Sequence, residues 1–169
     1  VIPASADCEF CIRADTMKRI EGLIDVIKLC VRNAEQLTGA KADISWGEIS
    51  AERYPNRPMC QAFKDNMETL GIEMKWPDPK AQYGSSDIGN VSIKIPAIHD
   101  YLSITDDKTI QSHSKAYADA AASPQADEIC LKGAKGLAMT ALDILEDSKF
   151  RDEINAFHDA QVPERYHEK

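Results

Sequence analysis

The stretch Gly84-Ser85-Ser86-Asp87-Ile88-Gly89-Asn90-Val91-Ser92, continued through Ile95-Pro96-Ala97-Ile98-His99 to His113, decides how the rest of the chain is read. It holds the densest run of small, polar and ionisable residues in the sequence, and two of the four histidines lie in it or at its end. Gly84 and Gly89 permit close backbone approaches that a Cβ would block. Ser85, Ser86 and Asp87 are residue types that cap helix starts and present oxygens there. By composition alone such a segment is more often plain turn chemistry than a site. It separates strand-helix-strand signals and one further helix from a strand and a run of helices.

Working outward toward the N-terminus, residues 6–13 alternate, with Ala6, Cys8, Phe10 and Ile12 on one side, which predicts a half-buried strand. Asp15 or Thr16 can cap the helix that follows. Its apolar positions Ile20, Leu23, Ile24, Ile27, Cys30, Val31, Ala34 and Leu37 keep helical spacing up to Thr38-Gly39. Residues 41–49 alternate again, with Ala42, Ile44 and Trp46 on one face. Strand, long helix and strand form half of a two-layer α/β lobe. Val1-Ile2-Pro3, with no initiating Met, reads as an extended segment already in progress. Residues 52–58, polar and with two prolines, are the expected domain boundary. Asn56 and Pro58 then start a helix carrying Met59, Phe63, Met67 and Leu70 that stops at Gly71. Residues 75–83 should be extended and irregular.

Beyond the central stretch, residues 98–104 read as a short strand. His113 precedes a helical stretch over 114–122, and Ser123-Pro124 starts a long helix to about Glu146. The expected inward face of that helix is Cys130, Ala134, Leu137, Ala138, Ala141 and Leu145, and Gly133 and Gly136 suggest close packing. Ser148 caps a last helix carrying Phe150, Ile154 and Phe157, followed by a polar tail expected to fray.

The totals exclude several classes of function. The 169 residues, 43% apolar and 28% charged, suffice for one core or two small lobes. A net charge of −8 without a basic stripe argues against nucleic acid. No apolar stretch can cross a bilayer, and no secretory leader is visible. The five cysteines are odd in number and scattered, which fits reduced thiols in a cytoplasmic protein. Cys8 and Cys11 have metal-ligand spacing but fall on opposite faces of the expected strand.

His113 is the best single candidate for a ligand or proton-transfer group. At a helix N-terminus the dipole disfavours imidazolium, and neutral imidazole binds metal. A surface histidine beside a cap is the plainer explanation. His99 fits a hydrogen-bonded sheet residue, and His158 and His167 need no role. No Gly-x-Ser-x-Gly elbow supports Ser86 as a nucleophile. No HExxH or His-x-Asp supplies the three or four ligands that a metal needs. The residues describe part of a site.

The central stretch closely resembles a signature of the metal-dependent amidohydrolases of the aminoacylase and carboxypeptidase G type, nearest the aminobenzoyl-glutamate hydrolase and β-alanyl-dipeptide hydrolase branch. His113-Ser114-Lys115-Ala116-Tyr117 resembles that family's late His-small-x-x-aromatic segment, and Ile12-Arg13-Ala14 the late part of its lid. The resemblance implies an α/β fold in two parts. Residues 1–50 would be the second half of a ferredoxin-like lid (strand-helix-strand) used for dimerisation. Residues 51–169 would be the C-terminal part of the catalytic domain. It implies a cytoplasmic homodimer that uses two divalent metal ions, zinc or manganese, to hydrolyse a small N-acyl amino acid or dipeptide-like amide with a free carboxylate. His113 matches the final metal-binding histidine, and Ser86 and Asp87 the loop beside the metal. Asn90 and His99 match motif positions on the substrate-binding side. Arg13 matches a lid arginine that in many relatives holds the substrate carboxylate through paired hydrogen bonds; an ordinary exposed strand residue explains it equally well. The other ligands and the general-base glutamate are expected upstream of Val1. Asp100, where relatives often carry proline, and Lys115 depart from the pattern. The alternative is a catalytically inactive remnant or a protein-interaction module.

Overall fold

Residues 3–78 and 84–167 are described by the computed structural model, so the readings placed on Val1, Ile2, residues 79–83 and the last two residues lie outside the described residues. The chain divides into two units, Val1–Glu52 and Arg53–Lys169.

The first unit is built on α1 (Met17–Thr38). Thr16 caps it, its hydroxyl accepting from the Arg19 N–H, and Gly39 ends it at φ 74°, a conformation that suits glycine. The segment after Gly39 runs back along the helix. Ala42 N–H donates to the Glu35 carboxylate (2.9 Å), the Lys28 ammonium lies 5.7 Å from the Trp46 ring centre, and Met17 N–H donates to the Glu52 carboxylate (3.0 Å). Residues 6–13 and 41–49, expected as strands, are not strands. A helix closes its own hydrogen bonds, whereas a strand exists only beside a partner about 4.8 Å away. No described segment supplies that partner.

The second unit holds α2 (Arg57–Thr69), α3 (Ile88–Ser92), α4 (Lys115–Ala121), α5 (Pro124–Glu146) and α6 (Ser148–Gln161), then a short 3₁₀ turn, Glu164–Tyr166. Each longer helix starts on the cap its sequence offers. Asn56 accepts from Met59 N–H with Pro58 in the first turn, Ser123 accepts from Ala126 N–H, and Asp147 accepts from the N–H groups of Lys149 and Phe150. The cap of α6 is thus Asp147 rather than Ser148. Residues 98–104 are not a strand either. The sheet-like pairing in this region is one isolated parallel bridge, Pro55 to Ala97. Among the described residues the fold is therefore helical, and the expected α/β architecture with its ferredoxin-like lid does not appear in the backbone.

The core forms where α2 packs against α5, with α6 against both. Phe63, Met67, Ala126, Ile154 and Val162 are buried there. Contrary to expectation, α5 does not turn Cys130, Ala134, Leu137, Ala138, Ala141 and Leu145 inward; all six are exposed. It buries Ala126, Gly133, Gly136 and Thr140 instead. The reason is clearance. A Cβ on Gly133 would stand 2.8 Å from Leu102 Cδ1, and one on Gly136 would overlap Met67 Sδ and lie 3.0 Å from Phe63 Cε2. Gly133 admits Leu102 and Gly136 admits the large side chains of α2, and no leucine could take their place. Val162, expected in a frayed tail, is buried.

Candidate functional site

The central stretch is held at its far end. Ser92, the last residue of α3, is 2% exposed. Its hydroxyl accepts from Tyr54 N–H (3.0 Å) and donates to Gly89 O (2.9 Å). Its carbonyl accepts from His158 Nε2 (3.0 Å). Asn56, fully buried, closes the base of the loop. Its N–H donates to Ala97 O (2.9 Å) and its side-chain amide to Ile154 O (2.9 Å).

From this base the polar residues of the loop face outward. Ser86 is half-buried and its hydroxyl accepts from Ile88 N–H at 3.4 Å. Asp87 is exposed, stands before the first turn of α3 and makes no side-chain cap. Asn90 is exposed on α3. His99 lies farther along, stacked on Tyr101 with ring centres 5.0 Å apart. Arg53 donates to the Tyr101 hydroxyl (3.0 Å) and stands 3.4 Å from His99 Nδ1.

Between these groups Asp100 is half-buried, and its Oδ2 is enclosed with no hydrogen-bond partner. Burial raises its pKa above the usual carboxylate range, opposed by the Cys60 hydrogen bond and the His99 charge. Burial first, then the Asp100 charge and hydrogen bond, pushes the Cys60 thiol up to about 12.

His113 is exposed, immediately before Ser114, the cap of α4. Its φ of 63° is uncommon for a residue with a Cβ. Arg13 is exposed in the first unit. The structure thus gathers Ser86, Asp87 and Asn90 around α3 and puts His99 with Arg53 and Tyr101. No hydrogen bond or ring contact links His113 to Ser86, Asp87 or His99 among the described residues. Nor does any group of three or more His, Cys, Asp or Glu residues come together as a metal site among them. His113 is one imidazole, fewer ligands than a divalent ion requires, so the described residues do not by themselves fit a metal centre.

The sequence pattern assigned no role to Arg53, Tyr101, Ser92 or His158. His158 carried a readable signal: it falls four residues after Ile154, on the stripe that α6 buries.

The chain is 36% identical to the Xaa-Arg dipeptidase of Mus musculus over 151 residues, which is 86% of this chain and 34% of that protein. It is 34% identical to the Xaa-Arg dipeptidase of Homo sapiens over 148 residues, again 86% of this chain and 34% of that protein. The chain therefore spans about a third of the length of the curated relatives it matches. No protein-family profile matches it. Both relatives are named as dipeptidases. No helix among the described residues is long and apolar enough to cross a membrane.

Proposed function

We propose that this chain is the C-terminal portion of a metal-dependent dipeptidase or amidohydrolase whose substrate is a small peptide with a free carboxylate. The observation that carries this is the 36% identity over 86% of the chain to a protein named Xaa-Arg dipeptidase, whose name points to an arginine on the carboxyl side of the scissile bond. In this reading His113 contributes one ligand to a divalent metal, zinc or manganese. Ser86, Asp87, Asn90 and His99 line the approach to the substrate, and Arg13 pairs with its carboxylate. Dimerisation through residues 1–50 and a cytoplasmic location belong to the same reading. The remaining ligands and the general base are assigned to the two-thirds of the relatives' length that this chain does not span.

The test uses a protein of the relatives' length that carries this chain, assayed on dipeptides ending in arginine. Hydrolysis should stop on chelation and return with zinc or manganese. His113→Ala should lower kcat/KM by about a hundredfold or more. Activity indifferent to both chelator and His113→Ala sinks the reading.

An interaction module is the second reading. It is favoured by the exposed leucines 131, 137, 142 and 145 of α5, which lie on one flank of that helix. Apolar surface of this kind marks contact with another polypeptide. An inert, correctly folded protein of full length would support it.

A further inference from the structure

We infer that His158 is a positioning residue that holds the 84–92 loop through the carbonyl of Ser92; its consequence for catalysis rests on the function proposed above. His158 is 7% exposed on α6, and its Nε2 reaches Ser92 O at 3.0 Å across 66 residues of sequence. A carbonyl can only accept, so Nε2 carries the hydrogen and the imidazole is the donor.

The carbonyl is available because the turn that ends α3 leaves it over. The N–H groups of both Lys94 and Ile95 go to Val91 O, at 2.9 and 3.1 Å. Carbonyls at a helix end need partners from outside the helix, and α6 supplies this one. One turn earlier, Ile154 O of the same helix accepts from the Asn56 amide (2.9 Å), while Tyr54 N–H is bound to the Ser92 hydroxyl (3.0 Å).

One face of α6 therefore clamps both segments at the base of the loop, residues 54–56 and residue 92. Gly84, Ser85, Asp87 and Asn90, all exposed, project from that base. A buried apolar residue at 158 could fill the space. It could not fix the direction of the Ser92 carbonyl, and hence the orientation of α3. Among the described residues no hydrogen bond, ion pair or ring contact joins His158 to the exposed loop residues; it acts through Ser92.

The test compares H158Q with H158N in the full 169-residue chain by amide hydrogen exchange. A glutamine amide nitrogen can reach the place of Nε2, whereas an asparagine is one methylene short. Both keep a polar amide in the same helix. H158Q should leave exchange at Tyr54 and Ile93 within about threefold of the parent, and H158N should speed it by about tenfold, with Met67 in the core unchanged in both. Equal exchange at Tyr54 and Ile93 in the two variants overturns the inference, as does a parent spectrum with no proton on Nε2.

A second arm uses the protein of the relatives' length. H158N should lower kcat by about tenfold with KM little changed, and H158Q should restore it. An H158N variant with faster exchange at Tyr54 and Ile93, unchanged exchange at Met67 and unaltered kcat overturns the catalytic consequence. A parent protein that hydrolyses nothing overturns the functional reading, and the exchange result still decides the role of His158.

Discussion

Helices α1 and α5 are nearly equal in length, 22 and 23 residues, and both carry apolar residues at helical spacing, yet α1 buries no side chain while α5 buries Ala126, Gly133, Gly136 and Thr140. The difference lies in what stands opposite. α5 meets α2 closely enough for Asn66 to reach both Thr140 (3.1 Å) and Asp143 (2.7 Å). Among the described residues of its own unit, α1 is met by an extended segment running back along it, and Leu23, Val26, Leu29 and Leu37 stay exposed. Even on α5 the leucines are outside and the glycines inside. Burial here follows the shape of the neighbour more than the hydrophobicity of the residue.

The largest test of this contrast pairs Phe63→Ala with Leu37→Ala. Phe63 is 3% exposed and Leu37 is 87% exposed. Denaturant unfolding should show a loss of about 3–5 kcal/mol for the first and a change within about 0.5 kcal/mol for the second. Similar losses would mean that α1 is covered in solution.

A sharper pair substitutes glycines in the two helices. Gly22, inside α1, has nothing within 4 Å of the position its Cβ would take. Gly22→Ala should stabilise that helix by about 0.8–1 kcal/mol through propensity alone. Gly136→Ala gains the same propensity but drives a methyl into Met67, which is fully buried. The overpacking cost of about 1–3 kcal/mol should win, giving a net loss of stability. Helicity and unfolding midpoints of the two variants should therefore move in opposite directions.

The pair Asp100–Cys60 extends the contrast to pH. The folded pKa of Asp100 is raised, so its contribution to stability is full below the ordinary carboxylate value of about 3.9 and is lost as pH rises through the raised value. Asp100→Asn should flatten that slope and be more stable than the parent at neutral pH. Cys60 acts in the same direction at high pH: its contribution is lost between the model-compound value of 9.0 and about 12. Cys60 should also react slowly with thiol reagents at neutral pH, and Cys8, Cys11, Cys30 and Cys130, all exposed, quickly.

The smallest expected effect is at Asp15, whose carboxylate meets Arg19 at 2.7 Å with both side chains exposed. Asp15→Asn should change the unfolding free energy by no more than about 0.5 kcal/mol.

Helix ends were legible because they are decided within a few residues. Thr16 and Gly39, Asn56 with Pro58, and Ser123 with Pro124 mark their boundaries through bonds made locally. The inward face of α5 was misread because an apolar stripe does not say which side a partner will take. The alternating segments 6–13 and 41–49 were misread as formed strands because a strand is a property of a pair of segments. On the candidate site, Ser86, Asp87 and Asn90 were legible as one loop from their adjacency in sequence. Arg53 beside His99 and His158 beside Ser92 were not, since 46 and 66 residues separate them.

The sequence by itself determined where the helices begin and end, and which loop concentrates the polar chemistry, because capping and backbone conformation act over one turn. The tertiary structure alone decided that glycines rather than leucines face the core, that Asp100 lies enclosed against Cys60, and that α6 holds the loop through His158. Those outcomes depend on steric fit and desolvation between segments far apart in the chain, and no local pattern encodes them.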